Sequence, residues 1–493
     1  MFRHLKIAVL ACLPPAVAAS GPVTLTTIDG SLTLKGDLVA YDGEFFRVET
    51  AYGTLTMDGG NVKCDGEGCP PAEALVAKAA FLGPVDMIHR LLPPLIAQFA
   101  AREGYAHRKI FTGDEALAWE LSDADSGALI ARFEGQVLPE DDALERIASR
   151  FGDVSLGRIE GKAGLRQDVI ALDALVPVVA PDNPRAMVTL RQLGALLQGQ
   201  VTNWGSLGSA ELPVSVHLPD DPVSERMTRR LLSGRRIGSV TRHDSMEAVS
   251  NAVAADPAAL GLVQYSKIGN AVPLVIAGPC GLSVPATPNS IKAEDYPLTV
   301  PLFLHRMDTL QPRVIRDFIA FARSEEAQAA IRAAGFVDQS IGRIGFDRQG
   351  DRLANAVLAA AEDADVMAEV QRMIATLMEG ERLTLTFRFR DGSSDLDPQS
   401  ASNVIRLADV ISEGVFDGRE VVFVGFTDGV GDRDANLRLS ERRARAVRRA
   451  VSAYAGDAPV EFTVDAFGEA MPMACDDTVW GRQVNRRVEV WLR

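Results

Sequence analysis

The chain has 493 residues, too many for one ordinary domain, and its length implies roughly two to four. A composition of 47% hydrophobic and 24% charged residues is that of a globular protein and excludes long disorder. The net charge of −15 and a pI of about 5.0 exclude nucleic acid as a partner, because no basic field is available to neutralise phosphates.

The first residues read as a targeting segment. Phe2 to Lys6 is a basic start, Ile7 to Leu13 a short apolar run, and Ala16-Val17-Ala18 a small-residue cleavage pattern. This is the anatomy of a secretory signal peptide over 1–19, with Leu10-Ala11-Cys12 a weak mimic of a lipoprotein box. No stretch beyond it is apolar for long enough to span a bilayer. Export permits disulfides. Cys64 and Cys69 flank a short Gly-rich loop and are expected to pair locally, whereas Cys280 and Cys475 are expected to stay unpaired. No metal-ligand spacing is present.

Residues 20–72 alternate short β-rich runs with turn signals at Asp29-Gly30, Asp42-Gly43 and Gly53, which predicts a small antiparallel β module. It loosely resembles Sm-like or SH3-like barrels, and a docking or spacer role is the expectation.

Residues 73–343 alternate helical and strand-like patterns. Met87 to Ala101 reads as a helix split by Pro93-Pro94. Val169 to Val179 reads as a strand buried on both faces, and Thr189 to Gly199 as a helix with a glycine stop. The pattern predicts an α/β fold of two lobes with a cleft. Asp182-Asn183-Pro184, Thr189-Leu190-x-Gln192-Leu193, Asn203-Trp204-x-x-Leu207-Gly208 and Gly261-Leu262-Val263-Gln264-Tyr265 follow in order. This series resembles the phosphate-type periplasmic solute-binding proteins. The resemblance implies a small oxyanion such as phosphate, held by hydroxyls and amides at helix starts. The corresponding positions are Ser126 and Gly127, in a turn expected to open a helix at Ala128, then Asp153 and Arg158, and Ser224 and Arg226. Glu225 stands where that family has glycine, and Asp220 where it has arginine, so a different anion or a degenerate site remains open.

Residues 344–375 carry apolar positions at helical spacing, Leu353 to Ala361 and Val366 onward. They form either a semi-rigid helical spacer or a packed helix pair.

The last segment, 376–493, has the sharpest chemistry. Val421 to Val424 reads as a buried strand, followed by an acidic Gly-rich loop and a helix. On that helix Leu439, Arg443, Val447 and Val451 recur every four residues. Arg443 is therefore a guanidinium on an apolar stripe, and it needs an anion. It could form a structural ion pair with Asp428, or the two could grip a zwitterion, with Asn436 between them. Thr427-Asp428, Asn436-x-x-Leu439-Ser440-x-x-Arg443-Ala444 and Gly481-Arg482-x-x-Asn485-Arg486-Arg487 together resemble the OmpA-like peptidoglycan-binding domain. The resemblance implies an α/β sandwich. It places Asp428 on the ammonium and Arg443 on the carboxylate of diaminopimelate, with Thr427, Asn436 and Arg486 in support and Phe389 to Asp391 as a neighbouring loop.

None of the six histidines falls in a catalytic motif, and no cofactor-binding motif is present. The expected protein is a multidomain α/β, cell-wall-anchored, non-enzymatic binding protein of a Gram-negative periplasm. An ABC transporter or an envelope sensor would be its partner. The alternative is an envelope scaffold whose middle domain has lost its solute site.

Overall fold

The computed structural model describes residues 21–41, 45–71, 76–149, 152–278, 282–309, 311–390, 395–474, 476 and 479–493, except the Trp480 side chain. The expectations for 1–19, Cys280, Cys475 and Asp391 lie outside these residues. The chain folds as two compact units. The first combines the chain up to Ser155 with Arg306–Ala322, and the second combines Leu156–His305 with Arg323–Arg493.

The first unit opens with a five-stranded antiparallel sheet running from Pro22–Thr27 to Val62–Asp65. Alternation points Val23, Leu25, Leu38, Phe46 and Val48 into its small core. A disulfide joins Cys64 to Cys69, with Cα atoms 5.8 Å apart. The module docks on the rest of its unit through Arg313, which donates to Asn61 Oδ1 at 3.0 Å, and Arg316, which lies 3.0 Å from Asp58.

Beside it, strands Ala77–Gly83, Leu129–Val137, Ala116–Asp123 and Tyr105–Thr112 form a second sheet in that order. Phe81, Phe99, Phe133 and Phe318 cluster over it with ring centroids 5.1–6.5 Å apart. The expected first helix begins as a π-helical turn, Met87–Leu91, and continues as the α-helix Leu92–Glu103. Pro93 and Pro94 sit at the first helical positions, where a missing N–H costs nothing.

In the second unit the strand Leu165–Val179 is buried throughout its second half. It pairs antiparallel with Ala259–Gln264, which runs parallel to Ser215–Pro219, followed by Thr241–His243. Helices Leu190–Leu197 and Met246–Ala254 contribute to the same core. Trp204 is buried there, and its indole N–H donates to the Ala258 carbonyl at 2.9 Å. Asn203 caps the turn that holds it, accepting from the Gly205 N–H.

The C-terminal part of this unit is a five-stranded sheet in the order Arg343–Gly345, Glu381–Arg388, Arg487–Leu492, Glu420–Gly425, Glu461–Ala466. Helices Pro398–Ser412 and Arg433–Ala455 bury one face. Helices Gly350–Ala359 and Ala364–Leu377 pack Ala356, Val370, Met373 and Leu377 on the other, against Val422, Val424 and Trp491. These two helices are therefore a packed layer of the sandwich and not a free spacer.

Within the second unit the two parts meet across a polar seam. The strand Glu381–Arg388 turns Leu383, Leu385 and Phe387 into the C-terminal core. Its opposite face carries Arg382, Thr386 and Arg388, all buried. Arg382 forks onto both oxygens of Asp295 at 2.5 and 2.8 Å. Thr386 Oγ1 donates to the Ala293 carbonyl, and Arg388 donates to the Glu294 carbonyl. Behind them Glu489 accepts from Arg352 and Arg487 and lies 3.1 Å from Arg382 Nε. Among the described residues no helix is long and apolar enough to cross a membrane.

Candidate functional site

The Glu420–Gly425 strand, flanked by Arg487–Leu492 and Glu461–Ala466, delivers Phe426, Thr427 and Asp428 just past its C-terminal end. Gly425 allows the long helix to approach, since a Cβ there would lie 2.1 Å from the Ser440 carbonyl oxygen. Asp432 caps that helix by accepting from the Ala435 N–H. Its buried stripe is Asn436, Ser440, Ala444, Val447 and Val451, so Arg443 stands half-buried at the edge of the stripe and not on its centre line.

Asp428 is buried and accepts from Arg486 Nη1 at 2.9 Å, with only a longer contact, 3.3 Å from the Val430 N–H, on its other oxygen. Asn436 Nδ2 donates to the Asp428 carbonyl at 3.3 Å and to Glu469 at 3.2 Å, tying the loop to the helix. Thr427 donates its N–H to the Gly468 carbonyl, while its buried hydroxyl has no partner among the described residues.

The structural pair Asp428–Arg443 does not form. Asp428 goes to Arg486, and Arg443 has no carboxylate within ion-pairing distance among the described residues. Its guanidinium lies over the Phe389 ring, 5.1 Å from the centroid, and Nη1 is buried without a hydrogen-bond partner among the described residues. Burial and the neighbouring Arg486 cation both lower its pKa, with Asp428 offsetting part of this. An anion beside Arg443 would relieve both effects. Asn485 shapes the wall of the site: it accepts from the Met473 and Ala474 N–H groups and donates to the Ala474 carbonyl and Asp476.

Residues 388–486 match the OmpA family model and residues 124–326 a PBP superfamily domain model. The chain thus joins an OmpA-family domain to a PBP-superfamily domain. Over 112 residues it is 38% identical to the peptidoglycan-associated lipoprotein of Pseudomonas putida, which covers 22% of this chain and 63% of that protein. Over 108 residues it is 37% identical to outer membrane porin F of Pseudomonas fluorescens, covering 22% of this chain and 32% of that one. The chain therefore spans less than two thirds of the length of either relative. A solved structure of a putative phosphate ABC transporter substrate-binding protein with bound phosphate, from Clostridium perfringens, aligns over 53% of this chain and 99% of that one. Its identity is 16% and its TM-score 0.41.

The residues expected to hold a solute in the PBP-superfamily domain divide between the two units. In the first unit, Ser126 and Gly127 form an exposed hairpin turn between Ala116–Asp123 and Leu129–Val137, not a helix start. The reason is the period-two burial of Leu117, Trp119 and Leu121 facing Ala131 and Phe133, which makes this stretch a strand pair. Both the N–H and the hydroxyl of Ser126 are spent on Asp123 at 2.7 Å. Asp153 accepts from the Ala80 N–H at 2.7 Å, and burial raises its pKa.

In the second unit, Arg158 donates to Gln264 at 3.0 Å and lies 3.8 Å from the buried Asp173. Ser224 is buried in the first turn of helix Pro222–Leu231, and its N–H is already taken by Asp221 at 2.8 Å. Arg226 is exposed on the same helix. Glu225, the substituted glycine, is compensated by Arg229 at 2.6 Å and Arg242 at 3.5 Å.

Sequence reasoning missed the Phe389 ring under Arg443 and the Asp295–Arg382 seam. The first had a signal, an aromatic beside a resembling loop. The second joins residues too far apart in sequence for any spacing rule.

Proposed function

We propose that this is a cell-wall-associated protein of the Gram-negative periplasm, exported by a cleaved signal peptide, that grips diaminopimelate through its OmpA-family domain. The observation that carries this reading is Arg443, a half-buried guanidinium whose Nη1 has no hydrogen-bond partner among the described residues, beside a carboxylate that is paired with Arg486 through one oxygen. A diaminopimelate carboxylate answers Arg443, and its ammonium answers the weakly engaged oxygen of Asp428 in a charge-assisted clamp. The unpartnered Thr427 hydroxyl adds a further contact. The names of the matched relatives, a peptidoglycan-associated lipoprotein among them, point the same way. The test is sedimentation of the mature chain with purified diaminopimelate-type peptidoglycan. Arg443→Ala and Asp428→Ala should each abolish co-sedimentation, and retention of both variants would sink the clamp.

The PBP-superfamily domain gives this anchored protein a solute-binding role, with a small anion such as phosphate as ligand and an ABC transporter or envelope sensor as recipient. Calorimetry of the mature chain with phosphate and related oxyanions tests it. A second reading, an envelope scaffold with a degenerate solute site, is favoured by one observation. Asp221 occupies the Ser224 N–H with a carboxylate, at the helix start where the family resemblance places an anion. Silence across the oxyanion panel would select the scaffold.

A further inference from the structure

The second unit holds a cavity of about 390 Å³, within the range of small-molecule sites. Its walls come from both parts of the unit, with Tyr296 and Phe303 from one and Phe389 and Gln483 from the other. Phe389 is the ring on which Arg443 lies, so the cavity and the clamp share a wall.

Its polar lining carries unspent hydrogen-bonding capacity. Glu294 Oε1, Arg388 Nε and Gln399 Oε1 are all buried without a partner among the described residues, although such atoms are normally satisfied. The other ends of Gln399 and Arg388 are fixed. Gln399 Nε2 donates to Gln339 and Asn403, both at 3.2 Å, which leaves its oxygen as the free end. Arg388 donates to the Glu294 carbonyl, and its carboxylate contact with Glu294 is stretched to 3.9 Å. Glu294 is held at φ +54°, one of two non-glycine residues in the left-handed region among the described residues. Strain of this kind persists where the surroundings demand it, often at ligand sites.

We propose that this cavity is a second subsite for the wall peptide, taking an amide- and carboxylate-bearing chain that continues from the residue in the Asp428–Arg443 clamp. A peptide group offers one acceptor and one donor. Its carbonyl, or a terminal carboxylate, takes the Arg388 Nε–H, and its N–H goes to Gln399 Oε1. Burial pushes the Glu294 carboxyl up to about 8 despite Arg388, so at neutral pH it adds an O–H donor rather than a repelling charge. Phe389 and Phe303 line the apolar sides.

This inference rests on the wall-binding reading, and two probes separate the fate of each. Calorimetry of the mature chain would use free diaminopimelate and a soluble diaminopimelate-containing stem tetrapeptide. The tetrapeptide should bind about tenfold more tightly than the free amino acid, as two net hydrogen bonds imply. Gln399→Leu should remove most of that advantage and leave free diaminopimelate unaffected. Glu294→Gly, which relieves the left-handed backbone and so should fold, should reduce the advantage likewise. If free diaminopimelate binds and the tetrapeptide gains nothing, or if both variants keep the full advantage, the cavity assignment is overturned and the clamp stands. If neither probe binds, both are overturned.

Discussion

Replacing Asp295 with alanine would strand one of the most enclosed charges in the protein. The Arg382 guanidinium is 1% exposed and forks onto Asp295 at 2.5 and 2.8 Å. Among the described residues, Arg352, Arg382 and Arg487 pair with no carboxylate but Asp295 and Glu489, and Asp295→Ala leaves Glu489 to answer all of them. Burial alone would raise the Glu489 pKa, but the surrounding guanidiniums outweigh it and hold the group well below the usual carboxylate range. Glu489 is thus fully ionised already and has no reserve with which to compensate. Removing one partner of a buried pair costs about 3–5 kcal/mol, chiefly through the uncompensated charge left behind. Urea unfolding, followed by the fluorescence of Trp491, whose indole N–H donates to Glu489, reads this directly. Asp295→Ala combined with Arg382→Met should recover on the order of 2 kcal/mol relative to Asp295→Ala, because the orphaned cation is gone. A loss below about 1 kcal/mol in the single variant, or a double variant no better than the sum of its parts, would refute the argument.

Three further outcomes are expected. Arg443→Ala should change stability by less than about 1 kcal/mol, since it makes no ion pair among the described residues, while abolishing wall binding; a large destabilisation in urea titration would show the residue to be structural. Glu294 is protonated in the native state up to about pH 8, whereas the unfolded chain loses that proton near 4.5. Its contribution is therefore complete below the unfolded value and is lost as pH rises through the folded one, by a few kcal/mol in all. Urea midpoints at pH 5, 7 and 9 should fall more steeply for the native protein than for Glu294→Gln, and parallel curves would refute the shift. Cys64→Ser with Cys69→Ser should destabilise the N-terminal sheet by about 2 kcal/mol, the loop-closure entropy for so short a ring. Faster amide exchange confined to Pro22–Asp65 is the readout, and unchanged exchange would count against it.

Patterns local in sequence were legible, and those completed by a distant partner were not. The buried strand before Gly425 and the disulfide across Cys64–Cys69 both follow from spacings of a few residues, whereas the every-four spacing through Leu439 set Arg443 on a stripe that the helix turns one residue away, onto Ser440 and Ala444. The turn at Ser126 was misread because small polar residues favour both helix starts and hairpin turns. Only the period-two burial on either side decides between them. The alternation Arg382, Thr384, Thr386, Arg388 is the pattern of a strand with one face in water, yet that face is buried against Ala293 to Asp295. Nothing in a stretch of polar residues says whether solvent or a second surface will satisfy it. The same holds for Asp428, whose partner choice between Arg443 and Arg486 is settled by loop geometry and not by helical spacing.

The seam between Glu381–Arg388 and Ala293–Asp295 has a mechanical meaning. A tether joined by a loose linker would let its cargo swing freely about the point of attachment. Here the guanidinium fork of Arg382 acts as a locked joint, so the segment Ala293–Asp295 keeps a fixed bearing to the sheet that carries Asp428 and Arg443. A pull on one is transmitted to the other, and a chain cut after Ser340 would free the C-terminal part with its charged face uncovered.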